Sequence, residues 1–178
     1  RIDALSLGSA GALASSEGNA AAFTAAGSGS GNTVENLVEA SIVRSEVPAV
    51  EGTISVTATD DSAISATAGS ASVSIALGDS LAVGVALGFS MTINDIDNTT
   101  KALVDDTTLE ADGAITVTAD STSQITGEAI GAALSGAAGE GTSASVSGIA
   151  AFAENSINNT IHATIEDSDP SSENDVIS

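Results

Sequence analysis

The sequence predicts an all-β protein, a parallel β-solenoid built from three tandem repeats of about 61 residues. The first observation is a motif that occurs three times, as NTVENLVEASIV from Asn32, NDIDNTTKALVDD from Asn94 and NSINNTIHATIED from Asn155. The second is that the residues within each copy alternate between two sets, one for each face, with the two-residue period of a β-strand. A long repeat carried by β-branched residues and turn formers favours stacked strands.

Alternation assigns one face of each motif to the interior. In the second copy this face carries Asn94, Ile96, Asn98, Thr100, Ala102 and Val104. Two further strand runs occur in each repeat, ISVTAT or ITVTAD and an apolar stretch such as SVSIALG. Turn-forming clusters should separate the strands at Asp60–Ser62, Gly78–Ser80, Gly139–Thr142 and the acidic segment from Glu166 to Asp175.

The copies fill the chain as a single repeat domain, 1–178, with repeats at 1–62, 63–123 and 124–178, of which the third is incomplete. The sequence has no Trp or Tyr and only three Phe, so the interior must be thin and rich in Ala, Gly and Ser. We find no subrepeat near 20 residues. One wide coil per repeat is therefore favoured over three narrow ones.

The recurring asparagines form two rows that we interpret as structural ladders. The first row is Asn32, Asn94 and Asn155, and the second is Asn36, Asn98 and Asn159. Equivalent residues of stacked coils lie about 4.8 Å apart, so an inward amide can bond to the amide of the next coil. An alternative for the first row is that these residues mark a bend.

Composition argues against several classes of function. A net charge of −21 repels nucleic acid and anionic membrane surfaces, and no apolar run is long enough for membrane insertion. The single histidine, His162, shares an outward column with Glu39 and Lys101 rather than with a nucleophile. We therefore expect no enzyme and no cofactor, and we expect an exposed ion pair between Lys101 and Glu39.

Carboxylates are the best candidates for a small-ligand site. Calcium prefers hard oxygen ligands, and the candidate ligands are Asp60, Asp61, Asp95, Asp97, Asp105 and Asp106. The sequence has neither an EF-hand loop nor a glycine-rich calcium repeat. A calcium site remains open beside the simpler interpretation that these side chains are solvated.

The run GAITVTADST from Gly113 and the segment from Asn155 to Ser168, with the pattern N-x-I-x-N-T followed by A-x-I-x-D-S, resemble a known family. They are similar to the strand repeats of large secreted bacterial filamentous adhesins of the haemagglutinin and leukotoxin-like kind. The resemblance implies an extracellular or cell-surface β-solenoid shaft.

We therefore expect a structural protein, a stiff shaft or head-to-tail filament for adhesion or matrix. Its partner would be itself or further repeats, because Arg1 corresponds to Ala63 and Ser178 to Thr116, which leaves seven residues before the pattern resumes. The alternative is an ice- or carbohydrate-binding face. Its outward rows would be Thr53, Ser55 and Thr57 beside Ala114, Thr116 and Thr118.

Overall fold

The computed structural model describes residues 1–173 and 177, with Ala49 described by its backbone alone. These residues form nine strands and no helix. The strands are β1 (Ile2–Ser16), β2 (Asn19–Val43), β3 (Glu46–Val50), β4 (Ile54–Gly78), β5 (Leu81–Asp105), β6 (Thr108–Ala111), β7 (Ile115–Ala138), β8 (Thr142–Glu166) and β9 (Asp169–Ser172). In residues 1–173 and 177 there is thus no helix of the length and apolarity that would span a lipid bilayer.

The strands form three parallel sheets, each with one strand from every repeat, in the orders β1-β4-β7, β2-β5-β8 and β3-β6-β9. Strand β1 pairs with β4 from Ile2 opposite Ile64 to Ser16 opposite Gly78, which is a constant shift of 62 residues. Each repeat therefore contributes one coil of three strands. The predicted fold class, a parallel β-solenoid of three repeats, is confirmed.

The middle repeat shows why these sequences form strands. In β5 every even-numbered residue from Ala82 to Val104 is buried, while the odd-numbered residues are more accessible. The face predicted to point inward, from Asn94 to Val104, is the buried one. Because a strand places successive side chains on opposite faces, the two-residue pattern leaves this segment only one way to bury its apolar half.

Two of the predicted turns are placed as expected and two are not. The chain turns after β4, where Asp79 and Ser80 follow Gly78, and between β7 and β8. The turn predicted at Asp60–Ser62 is wrong, because β4 runs through these residues. The side chains of Asp60 and Ser62 are buried and hydrogen-bonded to each other. The acidic segment from Glu166 contains the short strand β9, and its positions 174 and 175 lie outside the described residues.

A corner of each coil is built in the same way. Arg44, Asp106 and Asp167 have φ angles of 48°, 48° and 47°, and they occupy equivalent positions of the three repeats. The next residue in each repeat is Ser45, Thr107 or Ser168, whose hydroxyl donates to the carbonyl two residues before it, at 2.9, 2.8 and 2.6 Å. The carbonyls of Asp105 and Glu166 also accept a backbone N–H from the preceding coil, so hydroxyl and ladder bonds together hold each corner.

The described chain divides into two compact units, each containing part of every repeat. Unit 1 comprises 1–32, 64–94 and 125–155, and unit 2 comprises 33–63, 95–124 and 156–178. The interior of unit 1 is mainly alanine and serine. That of unit 2 contains an aliphatic cluster that includes Val56, Val104, Leu109 and Ile115.

Candidate functional site

The first asparagine row forms an amide ladder inside unit 1. Asn32 Nδ2 donates to Asn94 Oδ1 at 2.8 Å, and Asn94 Nδ2 donates to Asn155 Oδ1 at 2.8 Å. All three residues lie within strands rather than at a bend, and Asn94 is only 1% exposed. Gly127 faces the row, and a Cβ on it would lie 2.7 Å from Asn94 Nδ2. The ladder therefore needs a glycine opposite it.

The second row, in unit 2, uses its amides differently. Asn98 Nδ2 donates to Asp60 Oδ2 at 2.7 Å and to Ser62 Oγ at 2.9 Å. Asn36 Nδ2 reaches the same two residues at 3.1 Å, and the Asn36 backbone N donates to Asn98 Oδ1 at 3.1 Å. The side-chain amides thus cross from β2 and β5 to β4, while the link along the column runs through a backbone N–H.

The third repeat continues this arrangement with a smaller partner. Asn159 Nδ2 donates to Ser123 Oγ at 3.0 Å. Ser123 is the equivalent of Ser62, and Ser121 is the equivalent of Asp60 under the 61-residue shift. The carboxylate is therefore a feature of the first repeat, at Asp60, and Ser121 takes its place in the second repeat.

Among the described residues of unit 2, Asp60 is the most deeply buried carboxylate, at 5% exposure. Its oxygens accept hydrogen bonds from Asn36, Asn98 and Ser62, and from Ser121 at 3.4 Å. All of these donors are neutral. A buried carboxylate is tolerated when several donors replace its hydration, so this cluster fixes the register of four strands, β2, β4, β5 and β7.

The other candidate calcium ligands do not converge. Asp61, Asp97 and Asp106 are exposed, and Asp95 and Asp105 are half-buried. Throughout residues 1–173 and 177, no three His, Cys, Asp or Glu side chains are arranged to hold a metal ion.

The ion pair predicted between Lys101 and Glu39 is not formed; in the described part of the chain the one ion pair joins Arg1 to Asp3, at 2.9 Å. That hydrogen-bonded contact raises the pKa of the Arg1 guanidinium. Glu39 and His162 are exposed and Lys101 is half-buried. Ordering two long side chains at or near the surface costs about as much free energy as a solvated ion pair returns, which accounts for the missing contact.

The outward hydroxyl row bonds to itself. Ser55 Oγ lies 3.2 Å from Thr57 Oγ1, and Thr116 Oγ1 donates to Ser55 Oγ at 3.2 Å. Thr53 and Thr118 are exposed, and Ala114, which lacks a hydroxyl, is half-buried. The row is therefore chemically mixed from one coil to the next.

Sequence reasoning missed Asp60 and Ser62 as interior partners of the asparagines. The signal was present in the period, because Val56, Ala58, Asp60, Ser62 and Ile64 share one face of a continuous strand. Comparison with protein-family models, with curated proteins and with solved structures gives no match.

Proposed function

We propose that the chain is a structural segment of an extracellular β-solenoid shaft, serving surface adhesion or matrix within a longer stack of coils. The observation that carries this proposal is the direction of the amide ladder. Each asparagine donates to the equivalent residue of the next repeat, from Asn32 to Asn94 to Asn155. In the described residues the row thus ends with an acceptor on Asn32 and a donor on Asn155, so another coil can extend it at either end.

The sheets support the same interpretation. In each sheet the strands of the first and third repeats are the edges, and each pairs on one side only. An unpaired edge is a template for another strand, and in a stacked repeat the neighbouring coil covers it. The next coil comes either from the same polypeptide or from a second copy docked head to tail. A head-to-tail contact of this kind extends into a filament unless rotation closes it.

The hydrogen bonds among the interior polar groups of unit 2 also favour a structural role. The buried polar groups of unit 2 bond to one another, and Asp60 is surrounded by neutral donors. Such a cluster holds strands in register. The extracellular location is part of the proposal; it is supported by the resemblance to adhesin repeats, and the acidic composition is compatible with it.

A chain of two fused copies tests the proposal. A seven-residue linker with the sequence VTADSTS, copied from Val117–Ser123, would let the pattern resume at Arg1. We expect this chain to melt at a higher temperature than a single copy, because two open edges become paired. Negative-stain images should show rods of doubled length.

The matched control carries one additional residue in the linker. An odd insertion moves every following side chain to the opposite face of its strand, so the second copy cannot stack in register. Equal melting temperatures for the two fused chains would contradict the proposal. Light scattering of the single copy then tells whether separate copies also associate end to end.

A further inference from the structure

We infer that the outer face of the β1-β4-β7 sheet in unit 1 binds the same face of a second copy, side by side. This face consists of the outward residues at 5–15, 67–77 and 128–138. It is strongly apolar: Leu5, Leu7, Leu13, Ile130 and Leu134 are between 51% and 74% exposed. Exposed apolar surfaces of this extent on a soluble protein mark an interaction site.

Charge favours a second copy as the occupant. The chain carries a net charge of −21, yet among the outward positions of this face only Glu128 is charged. Of the 24 acidic residues, six lie in unit 1 and 18 in unit 2. Two copies of this acidic chain can therefore approach through this face with little repulsion between like charges.

The face has a relief of ridges and grooves. Gly69 lies between Leu7 of the first repeat and Ile130 of the third, and the three residues line a groove of about 440 Å³. A second groove of about 310 Å³ lies at Gly136, beside Ile75 and Leu134. Grooves set among large aliphatic side chains specify which surface fits against them.

The relief is complementary to itself about one axis. Consider a two-fold axis that lies in the contact plane and runs across the strands, along the column of Ala10, Ser72 and Ala133. It places Leu7 and its equivalents in the other coils opposite Leu13 and its equivalents in the partner, coil by coil. In the second repeat Gly69 then faces Ile75, and in the third Ile130 faces Gly136. The same large side chain that projects from one copy thus enters a groove of the other.

The inner pair of columns follows the same rule. Ala71 faces Val73 in the second repeat, and Ala132 faces Leu134 in the third. In the first repeat Leu7 meets Leu13, which is the one pair of two large residues among these columns. Stacked sheets lie about 10 Å apart, so opposing large and small residues keep the contact filled. This axis runs along the stack and pairs each coil with the same coil of the partner, so the contact would repeat with every coil of a shaft. The pairing itself does not depend on the proposed shaft.

Sedimentation equilibrium of the single chain tests the pairing. We expect a dimer of twice the 17.1 kDa chain mass at micromolar concentration. Ala132→Leu places two leucines opposite each other and Leu134→Ala removes the projecting side chain, so each should weaken dimerisation about tenfold or more. The double variant A132L/L134A exchanges the two residues, restores a large residue opposite a small one, and should dimerise within about threefold of wild type.

Ala144→Leu is the matched control, because Ala144 is an exposed alanine on the other sheet of unit 1, two residues from the exposed Val146. It should leave the dimer unchanged. The exchange I130G/G136I provides a second variant, since a Cβ on Gly136 has no atom within 4 Å in the monomer. Circular dichroism confirms folding in every case.

Three results would overturn the inference. A wild-type chain that stays monomeric at all concentrations excludes the pairing. Exchange variants that dimerise no better than the single variants exclude this axis. A monomer that instead floats with neutral phosphatidylcholine vesicles shows that lipid is the occupant. Head-to-tail assembly is distinguishable, because it produces masses above a dimer and is indifferent to the exchanges.

Discussion

Unit 1 and unit 2 each contain part of all three repeats, but the interior of each unit is packed in a different way. In unit 1 most buried residues are alanine or serine, and the sheets come so close that a Cβ on Gly84 would lie 2.6 Å from the Gly136 carbonyl oxygen. In unit 2, Ile96, Val104 and Leu109 fill the interior. One repeat pattern therefore allows two solutions, close backbone approach or filled volume, and they differ in the substitutions they tolerate.

The two units also differ in how their buried polar groups are hydrogen-bonded. In unit 2, Asp60, Ser62 and Asn98 satisfy one another. In unit 1 the hydroxyls of Ser72 and Thr92 are buried, and the described residues provide them with no hydrogen-bond partner. Of the five such hydroxyls in the described residues, four lie in unit 1 and one, Thr100, lies in unit 2. The desolvation cost therefore falls mainly on unit 1, while most interior polar groups of unit 2 gain partners.

The largest effect is expected from Leu109→Ala. Leu109 is fully buried in the aliphatic cluster of unit 2, so its removal should cost about 4 kcal/mol of unfolding free energy in urea denaturation, from lost transfer energy and a residual cavity. Val146→Ala is the control in unit 1, on strand β8 and away from the proposed dimer face, where the side chain is 61% exposed. A similar cost at both positions would show that Leu109 does not lie in a filled interior.

Asn98→Leu should come second, at about 3 kcal/mol, because it leaves the buried Asp60 carboxylate with fewer donors. The double variant with Asp60→Leu removes the carboxylate too and should recover part of that loss. Thermal melting of the single and double variants measures the coupling. Additive losses would mean that the two side chains do not depend on each other.

Gly84→Ala should cost about 2 kcal/mol in unit 1, since one methyl group must displace the backbone of the facing sheet. Gly31→Ala is the control, because its Cβ would have no atom within 4 Å. Melting of the two variants should differ in sign, as alanine is favoured over glycine where a strand has room. A neutral Gly84→Ala would show that the sheets of unit 1 are farther apart.

Ser72→Ala should stabilise the chain by about 1 kcal/mol, because it removes a buried hydroxyl that has no protein partner in the described residues. Ser62→Ala, in unit 2, removes a hydroxyl that donates to Asp60 and should instead destabilise. The urea midpoint of each variant measures the effect. If both midpoints shift in the same direction, the two buried hydroxyls do not differ in how well they are hydrogen-bonded.

Lys101→Ala should change stability by less than about 0.5 kcal/mol, because no ion pair with Glu39 is formed. Salt titration of the melting temperature serves as the check. A salt-dependent loss in the variant alone would reveal an electrostatic role for this lysine.

Sequence predicted the fold well, because period and repeat length are properties of the chain itself. The inward face from Asn94 to Val104 could be assigned from alternation alone. The partners of Asn98 could not, because Asp60 looked like part of a turn and which strand faces β5 depends on the coil as a whole. The left-handed corners at Arg44, Asp106 and Asp167 were missed since none is glycine.

Each repeat is one coil, stacked on the next with a shift of 62 residues between the first two coils and 61 between the second and third. The chain has no cysteine, so an engineered pair reports register directly. Asp3 lies opposite Ser65, and neighbouring strand residues about 4.8 Å apart are within disulfide range. Asp3→Cys with Ser65→Cys should close on mild oxidation and raise the melting temperature. The control, Asp3→Cys with Thr67→Cys, spans about 8 Å and should remain reduced. Equal closure of both pairs, or closure of the control alone, would contradict the one-coil repeat.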